Sequence, residues 1–426
     1  MTTFTDAATI VFWGVLTFSI LIVLHEGGHF LAARAFGVKV HEFMIGLPGP
    51  AIRLHTKKTV FGITAIPLGG YVRIAGMEPG AEDELLAQAL LLAAREGTPG
   101  AIDAPALSIA LGVDRDRAAS LLYTLADWGA VVEDEAIPGR YHSTVEDDGR
   151  VTAQELLDRA RSETYRGLPT WKRITVLASG VVTNIATALL VFTIVLSIWG
   201  YYTPSLTLAD ISEGYPAESA GMRAGDTITA VDGNLVTQWM EFSETIADTE
   251  PGTELAVTYE RNGEPTTVDI TLVESPDTGG GFLGVAADIK HVELTAPEAL
   301  LESFKWTGKV FVAIGDFFRP ATFERSIKGA RSIIGISVEV AEAAKNGPLD
   351  YAWWIALLSM VLGVMNTLPI PPLDGGKIVL EIVEKLVGKP LDRRVTLGLS
   401  LAGALVLFTF IGYVMYADVM RYFVNA

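Results

Sequence analysis

The sequence predicts a polytopic α-helical membrane protein of about four transmembrane helices, with soluble modules carried between them. Three observations predict it. Half of the 426 residues are hydrophobic and mean hydropathy is +0.37, too positive for the solvated surface of an ordinary soluble chain of this length. The excess is concentrated in four apolar stretches, at 7–24, 174–199, 353–368 and 395–414. Between them lie segments of ordinary polar composition, one acidic with a helical pattern and one β-rich.

The first, second and fourth stretches reach or nearly reach the roughly 20 residues that cross hydrocarbon. The third is shorter and meets Asn366 and a proline run, so an irregular end is predicted there. The first lacks the basic flank and small-residue cleavage site of a signal peptide. It also continues, after polar residues, into Phe30-Leu31-Ala32-Ala33, and is read as a retained span.

Loop charges set the orientation. No Lys or Arg precedes the first span, whereas Arg34, Lys39, Arg53, Lys57, Lys58 and Arg73 follow it. Arg166, Lys172 and Arg173 sit just before the second span, and Lys385, Lys389, Arg393 and Arg394 lie between the last two. The positive-inside rule then places both termini and 201–350 outside, and 35–173 in the cytoplasm. A formal net charge of −18 and a pI of about 4.8 argue against a nucleic-acid partner. Cysteine is absent, so a bound metal must be held by His, Asp, Glu or main-chain oxygen.

In chain order, 1–37 hold the first span and 38–77 follow it with two β-like runs, 59–66 and 71–74. Pro67-Leu68-Gly69-Gly70 reads as the turn between them, giving a membrane-associated β-hairpin. Such a hairpin can dip into the bilayer only where protein or substrate covers its edge. Residues 78–165 are rich in Ala, Leu, Asp and Glu, with helical periodicity at 85–92, 106–113 and 115–128 and a short strand at 129–132. Helix, Gly-containing turn, helix and strand resemble a winged helix-turn-helix. Asp114, Asp116, Asp127, Glu133, Asp134 and Glu135 make it acidic, and acidic surfaces repel phosphate. The expected partner of this cytoplasmic winged-helix-like insert is therefore an unidentified cytoplasmic protein.

The second span occupies 166–200. Residues 206–292 form a β-rich module, with a Gly- and Asp-punctuated run at 214–228 and Val231-Asp232-Gly233 after it. Alternating strands at 254–259 and 267–272 are joined by Asn262-Gly263. The pattern resembles a PDZ domain of the bacterial, permuted kind, here extracytoplasmic. Such a module either captures an extended peptide by strand addition or acts as a size filter. Residues 293–350 are an amphipathic linker region in which Leu300, Phe304 and Phe311 mark an apolar face, for the outer membrane surface or for the core. Residues 351–426 hold the third and fourth spans.

The chemistry is written in His25-Glu26-Gly27-Gly28-His29, at the end of the first span. Helical residues four apart share a face, so both imidazoles can bind one zinc ion, and Glu26 beside the first can take a proton from water. Ionisable groups at membrane depth are expensive and mark functional sites. Zinc needs a further protein ligand while leaving one position open. The extended soluble pattern would put His at position 35, which is Ala35. His41 and Glu42 are local candidates without a supporting pattern. Asp374, in Asn366-Thr367-Leu368-Pro369-Ile370-Pro371-Pro372-Leu373-Asp374-Gly375-Gly376, is the stronger one. Pro and Gly break the helix there, and loop charges put Asp374 near the same membrane face as the His pair.

With HEGGH and NTLPIPPLDGG together, the chain resembles the site-2 protease family of intramembrane zinc metalloproteases, in its bacterial PDZ-containing branch. The resemblance covers roughly 1–77 and 167–426. It implies a bacterial cytoplasmic membrane, zinc on His25, His29 and Asp374, and Glu26 as general base. It implies that Asn366 helps hold the substrate strand. Asn184, in Ser179-Gly180-Val181-Val182-Thr183-Asn184, looks like the asparagine of the family's Gly-Pro-x-x-Asn motif, with Val181 replacing the proline, and the resemblance implies that it too touches substrate. The hairpin resembles the family's membrane-reentrant loop, so Ile63, Ala65, Gly69 and Gly70 are expected to offer an edge to the substrate. The implied activity is regulated intramembrane proteolysis of a single-pass protein, either an anti-sigma factor or a remnant signal peptide. Alternatives are an inactive membrane receptor that binds proteins through its two soluble modules, and a metal transporter. An intact Glu26 counts against the first. The remaining histidines found outside the spans count against the second.

Overall fold

The computed structural model describes residues 4–420 apart from 57, 67–68, 78–83, 96–100, 135, 146–149, 277–278, 389–390 and 392. Lys57, Pro67, Leu68, Glu135 and Lys389, named above, lie outside the described residues. The chain divides into two compact units, Met1–Thr193 with Leu300–Ala426, and Ile194–Ala299.

Helix α1 (Phe4–Ala35) is apolar on every face down to its polar end, as a span surrounded by lipid and other helices should be. It stops at Gly37, where φ is +81° and Val38 N–H bonds back to Ala33 O at 2.9 Å. This left-handed ending leaves the orphan carbonyls satisfied. Four short strands follow, β1 (Val40–Ile45), β2 (Ala51–His55), β3 (Val60–Thr64) and β4 (Gly70–Ile74). Their sheet order is β2-β3-β1-β4, with β1 parallel to β3 and antiparallel to β4. The two runs predicted to form a hairpin are therefore not partners. Strand β1, for which the sequence marked no run, slots between them, because alternation marks a strand without naming its neighbour.

The insert comprises α2 (Leu86–Arg95), β5 (Ile102–Asp103), α3 (Ala104–Leu111), α4 (Arg115–Asp127), β6 (Val131–Glu133), β7 (Arg140–Ser143) and α5 (Ala153–Ser162). Helices α3, α4 and α5 begin at side-chain caps: Asp103 accepts from Ala106 N–H, Asp114 from Arg117 N–H, and Thr152 with Glu155 forms a capping box. Leu86, Leu90, Leu107, Leu122, Leu125 and Trp128 build a core of its own. A 3₁₀ turn at Tyr165–Gly167 leads into α6 (Thr170–Trp199), the second long apolar helix.

In the second unit, β8 (Tyr201–Ile211), α7 (Pro216–Ser219), β9 (Thr227–Val231), β10 (Asn234–Leu235), α8 (Trp239–Asp248), β11 (Glu254–Arg261), β12 (Glu264–Thr271), β13 (Val273–Glu274), β14 (Gly281–Phe282) and β15 (Val285–Val292) follow in order. The main sheet runs β12-β11-β9-β8-β15, and Phe242 of α8 packs into a core with Leu208, Ile228 and Val257. The β11–β12 hairpin turns at Asn262 and Gly263, both with positive φ (54° and 86°), as a type I′ turn requires.

The chain then continues through α9 (Ala296–Asp316), α10 (Pro320–Gly329), α11 (Ile333–Asn346), α12 (Pro348–Met365), α13 (Asp374–Val387) and α14 (Arg393–Val419). Four helices are long and apolar enough to cross a membrane, at Ala7–Ala35, Thr170–Trp199, Pro348–Met365 and Arg394–Val419. Leu397, Leu401, Leu405 and Phe408 of α14 are exposed, a row of apolar side chains that suits lipid rather than water. Residues 366–373 between α12 and α13 are irregular.

Candidate metal centre

His25 and His29 share one face of α1, and their Nε2 atoms lie 3.3 Å apart. Asp374, the first residue of α13, brings Oδ2 to 3.0 Å from His25 Nε2 and 3.2 Å from His29 Nε2. All three side chains are buried. Among the described residues this is the one group of metal-capable side chains that converges in this way.

The main chain behind His29 fixes the orientation of its ring. His29 Nδ1–H donates to Val176 O of α6 at 2.7 Å, which turns the Nε2 lone pair inward. With the lone pairs facing inward, Asp374 Oδ2 is a buried oxygen without a hydrogen-bond donor. Three electron-rich atoms at this separation repel unless a cation lies between them. A tetrahedral zinc ion with bonds of about 2.0–2.1 Å needs ligand atoms about 3.3 Å apart, and the residues present fit that requirement.

Close helix approach makes the pocket. A Cβ on Gly180 of α6 would strike His29 Nε2 and lie 2.7 Å from His25 Cε1. A Cβ on Gly28 would lie 2.5 Å from Ser179 O. Small residues facing each other let two membrane helices touch at the backbone. On the other side, Gly375 N–H donates to Asn366 O at 2.7 Å, which ties the start of α13 to the end of α12. A half-buried ion-pair network then holds α13 against the start of α6 and the turn before it. Arg173 Nη1 meets Glu381 Oε2 at 2.8 Å, and Arg166 Nη1 meets Glu384 Oε2 at 3.2 Å. Tyr165 O–H donates to Glu381 Oε1 at 3.0 Å. Burial and then the Glu381 charge push that phenol well above its ordinary value, so it stays a donor.

Glu26 faces a cavity of about 680 Å³ shared with His29, Tyr71, Asp374 and Lys377. Its Oε2 accepts Val72 N–H of strand β4 at 3.1 Å. A carboxylate anchored beside two imidazoles and a third ligand can accept a proton from a water held among them.

The other expected residues fall as follows. His41 Nε2–H donates to Asp127 O at 2.7 Å, and Glu42 accepts Tyr71 O–H at 3.0 Å, so neither local candidate completes the ligand group. Asn366 donates to Leu362 O at 3.0 Å within its own helix. Asn184, expected to touch substrate, is fully buried, its amide 3.3 Å from His25 Nδ1. Ile63 lies in β3, paired on both sides, to Ile45 and to Ile52. Ala65 N–H is bonded to Pro50 O, and Gly69 O accepts from Gly46 N–H. These positions offer no open edge. The edge beside Glu26 belongs to β4, which begins at Gly70. The sequence reading missed Gly28 and Gly180 as space-makers, Val176 O as an orienting acceptor and Val72 N–H as the donor to Glu26. A glycine inside an otherwise strong span was the available signal for the first two.

Residues 13–410 match the family model described as Peptidase family M50. The chain is similar to the zinc metalloprotease RasP of Geobacillus kaustophilus, 26% identical over 415 residues that cover 96% of this chain and 97% of that protein. It is 29% identical over 410 residues to RasP of Shouchella clausii, covering 89% and 91%. With the probable protease eep of Enterococcus faecalis it shares 27% over 425 residues, covering 96% and 98%. A crystal structure of the PDZ domain of an SdrC-like protein from Listeria monocytogenes aligns with 20% of this chain and 87% of that one, at 24% identity and a TM-score of 0.19.

Proposed function

This chain belongs to peptidase family M50, and from that premise we propose that it cuts a peptide bond within the transmembrane segment of a single-pass membrane protein, using the group of residues assembled at the end of α1. It is a zinc-dependent metalloprotease carried in a membrane. The observation that carries the residue assignment is the meeting of His25, His29 and Asp374 within 3.0–3.3 Å, from helices far apart in sequence.

His25, His29 and Asp374 would hold the ion. Zinc bound there would supply a Lewis acid that polarises the scissile carbonyl and makes water acidic. Glu26, fixed by Val72 N–H, takes the proton from the attacking water and delivers it to the departing amine. A transmembrane helix hides its carbonyls in its own hydrogen bonds, so the substrate must be unwound first. No further strand pairs β4 among the described residues, so an extended substrate strand laid beside it regains part of the hydrogen bonds its helix gives up, Val72 N–H staying with Glu26. The turn of chain from Asn366 to Leu373 leads directly into α13 and is tied to it by the Gly375 N–H bond to Asn366 O.

Loop charges support an arrangement with the insert in the cytoplasm and the β-rich module outside. The five-strand path of that module, with α8 packed on it, supports a PDZ-like peptide binder or filter. The helix, strand, helix, helix, strand, strand succession of the insert supports a winged-helix-like protein contact. A receptor without catalysis has no use for Glu26 poised between a backbone donor and a ligand group.

Metal analysis tests the assignment. The purified protein should carry one zinc per chain, and Asp374→Ala should lose both zinc and cleavage. Unchanged zinc in that variant rules out the three-residue site.

A further inference from the structure

Asp127 closes α4 of the insert, and its carboxylate is turned away from solvent, 4% exposed. The acidic composition of the insert suggested a solvated face, yet this residue is used inside the fold. Its Oδ2 accepts Gly76 N–H at 3.0 Å, and Oδ1 lies 3.8 Å from Arg73 Nε. Its main-chain oxygen accepts from His41 Nε2–H at 2.7 Å. The three partners belong to two neighbouring strands: His41 to β1, Arg73 to β4, and Gly76 to the turn directly beyond β4.

His41 is the extra residue of a β-bulge. Val40 pairs with Ile74 and Glu42 with Arg73, so nothing on β4 stands opposite it. A bulge re-aims a side chain and interrupts the ladder, and this one aims His41 at the insert. The interruption matters because β4 is an edge strand, paired with β1 among the described residues. Asp127 accepts one hydrogen bond from His41 of β1 and one from Gly76 in the turn just beyond β4, next to the place where the ladder of the two strands breaks. The insert does not need this contact to stay attached. Its two ends are already joined, by Tyr165 N–H to Ala75 O at 2.8 Å and Lys39 N–H to Glu163 O at 3.0 Å. A carboxylate is costly to bury, so a second anchor made by one points to a role beyond attachment.

That role is legible from what β4 does next. Val72, beside Arg73, donates its N–H to Glu26. Tyr123, one turn before Asp127 on α4, lines the same cavity as Glu26. We propose that Asp127 is a positioning residue for the proteolytic reaction: through it the insert sets β4 so that Val72 N–H holds the Glu26 carboxylate in working geometry. The inference rests on the M50 reading given above. It makes the insert part of the catalytic apparatus, so that an event at its surface has a direct path to the general base.

The test uses full-length zinc-loaded protein in lipid, with a single-pass reporter whose Leu- and Ala-rich span carries a central Gly. Asp127→Ala should lower kcat roughly 10- to 100-fold, the scale of a small misplacement at a catalytic group, with KM and zinc content unchanged. Asp127→Asn, which keeps an acceptor for Gly76 N–H, should recover part of the loss. His41→Ala removes the separate bond from β1 to the Asp127 main-chain oxygen and should lower kcat in the same way; if Asp127→Ala does not fold, the partial loss in Asp127→Asn, whose charge toward Arg73 is gone, decides the matter. Amide hydrogen exchange over 71–76 should quicken in both alanine variants, a readout that needs no activity. Unchanged kcat in a protein that cuts the reporter, or unchanged exchange over 71–76, overturns the proposal. A wild type that leaves the reporter uncut overturns the protease reading and the catalytic half of this one with it, while exchange still reports whether Asp127 anchors β4.

Discussion

The side-chain amide of Asn184 lies 3.3 Å from Nδ1 of His25, deep between α1 and α6. As placed, Nδ2 faces the ring and Oδ1 is buried without a donor. Exchanging the two amide atoms, which are assigned from their network rather than distinguished by shape, gives His25 Nδ1–H an acceptor. The Nε2 lone pair then faces His29 and Asp374, matching the arrangement that Val176 O imposes on His29. Ser359 of α12 donates to Asn184 O at 2.9 Å and holds the residue from behind. In the proposed metal centre Asn184 is thus a support for His25. Asn184→Ala should weaken zinc binding about 10- to 100-fold, the usual loss for such a partner, measured by competition with a chelator of known affinity. Unaltered zinc affinity with a raised KM would instead favour direct substrate contact.

Gly180 and Gly27 make opposite predictions. A methyl group at Gly180 would occupy the space between the two imidazoles, so Gly180→Ala should abolish stoichiometric zinc in metal analysis. A Cβ on Gly27, inside the same five-residue motif as the ligands, meets nothing within 4 Å. Gly27→Ala should keep its zinc and, since alanine is the better helix former by about 1 kcal/mol, should not lower thermal stability. Zinc retained by Gly180→Ala would mean that α1 and α6 are not packed as described.

The convergence of His25, His29 and Asp374 was legible in the sequence because each half carries a local signal. Two histidines four apart on an apolar run declare a shared face, and Pro and Gly before Asp374 declare a broken helix. What was not legible depends on partners distant in the chain. The alternating pattern of 59–66 and 71–74 marks strands, yet β1 inserts between them, because side-chain period says nothing about which strand lies alongside. Asp127 reads as one more surface acid until the bulge at His41 and the turn at Gly76 are brought to it. Asn184 reads as a substrate contact by its motif, and only the packing of α6 on α1 turns it toward His25.

Glu26→Gln separates chemistry from assembly. The glutamine has the same shape, and its side-chain oxygen can still accept Val72 N–H, so β4 and the ligand helix should stay in place. What disappears is the proton acceptor. General bases contribute typically 10²–10⁴-fold, so cleavage of a single-pass reporter should fall by about that factor while zinc content is unchanged. Membrane proteins that accumulate uncut in cells carrying this variant are then candidate substrates. Normal turnover in Glu26→Gln would remove Glu26 from the reaction.

The β-rich unit carries its own pH dependence, set by Asp226 and Arg261. Arg261 Nε meets Asp226 Oδ1 at 2.7 Å and its Nη2 meets Oδ2 at 2.8 Å, a two-pronged pair. Arg223 N–H adds a third bond to Oδ2 at 2.8 Å. Burial pushes the Asp226 carboxyl up, but the hydrogen bonds from Arg261 and Arg223 outweigh it and hold the folded-state pKa below the ordinary carboxylate value. A depressed folded pKa contributes stability that is present above the unfolded carboxylate range and is lost as pH falls through the folded value. Protection of β9 and β11 against hydrogen exchange should therefore be full at neutral pH and decline in acid. Asp226→Asn should lower that protection at neutral pH by about 1.5–3 kcal/mol, the range for hydrogen bonds to charged groups, and flatten the acid response. An acid response as steep in the asparagine variant as in the native chain would assign it to other carboxylates.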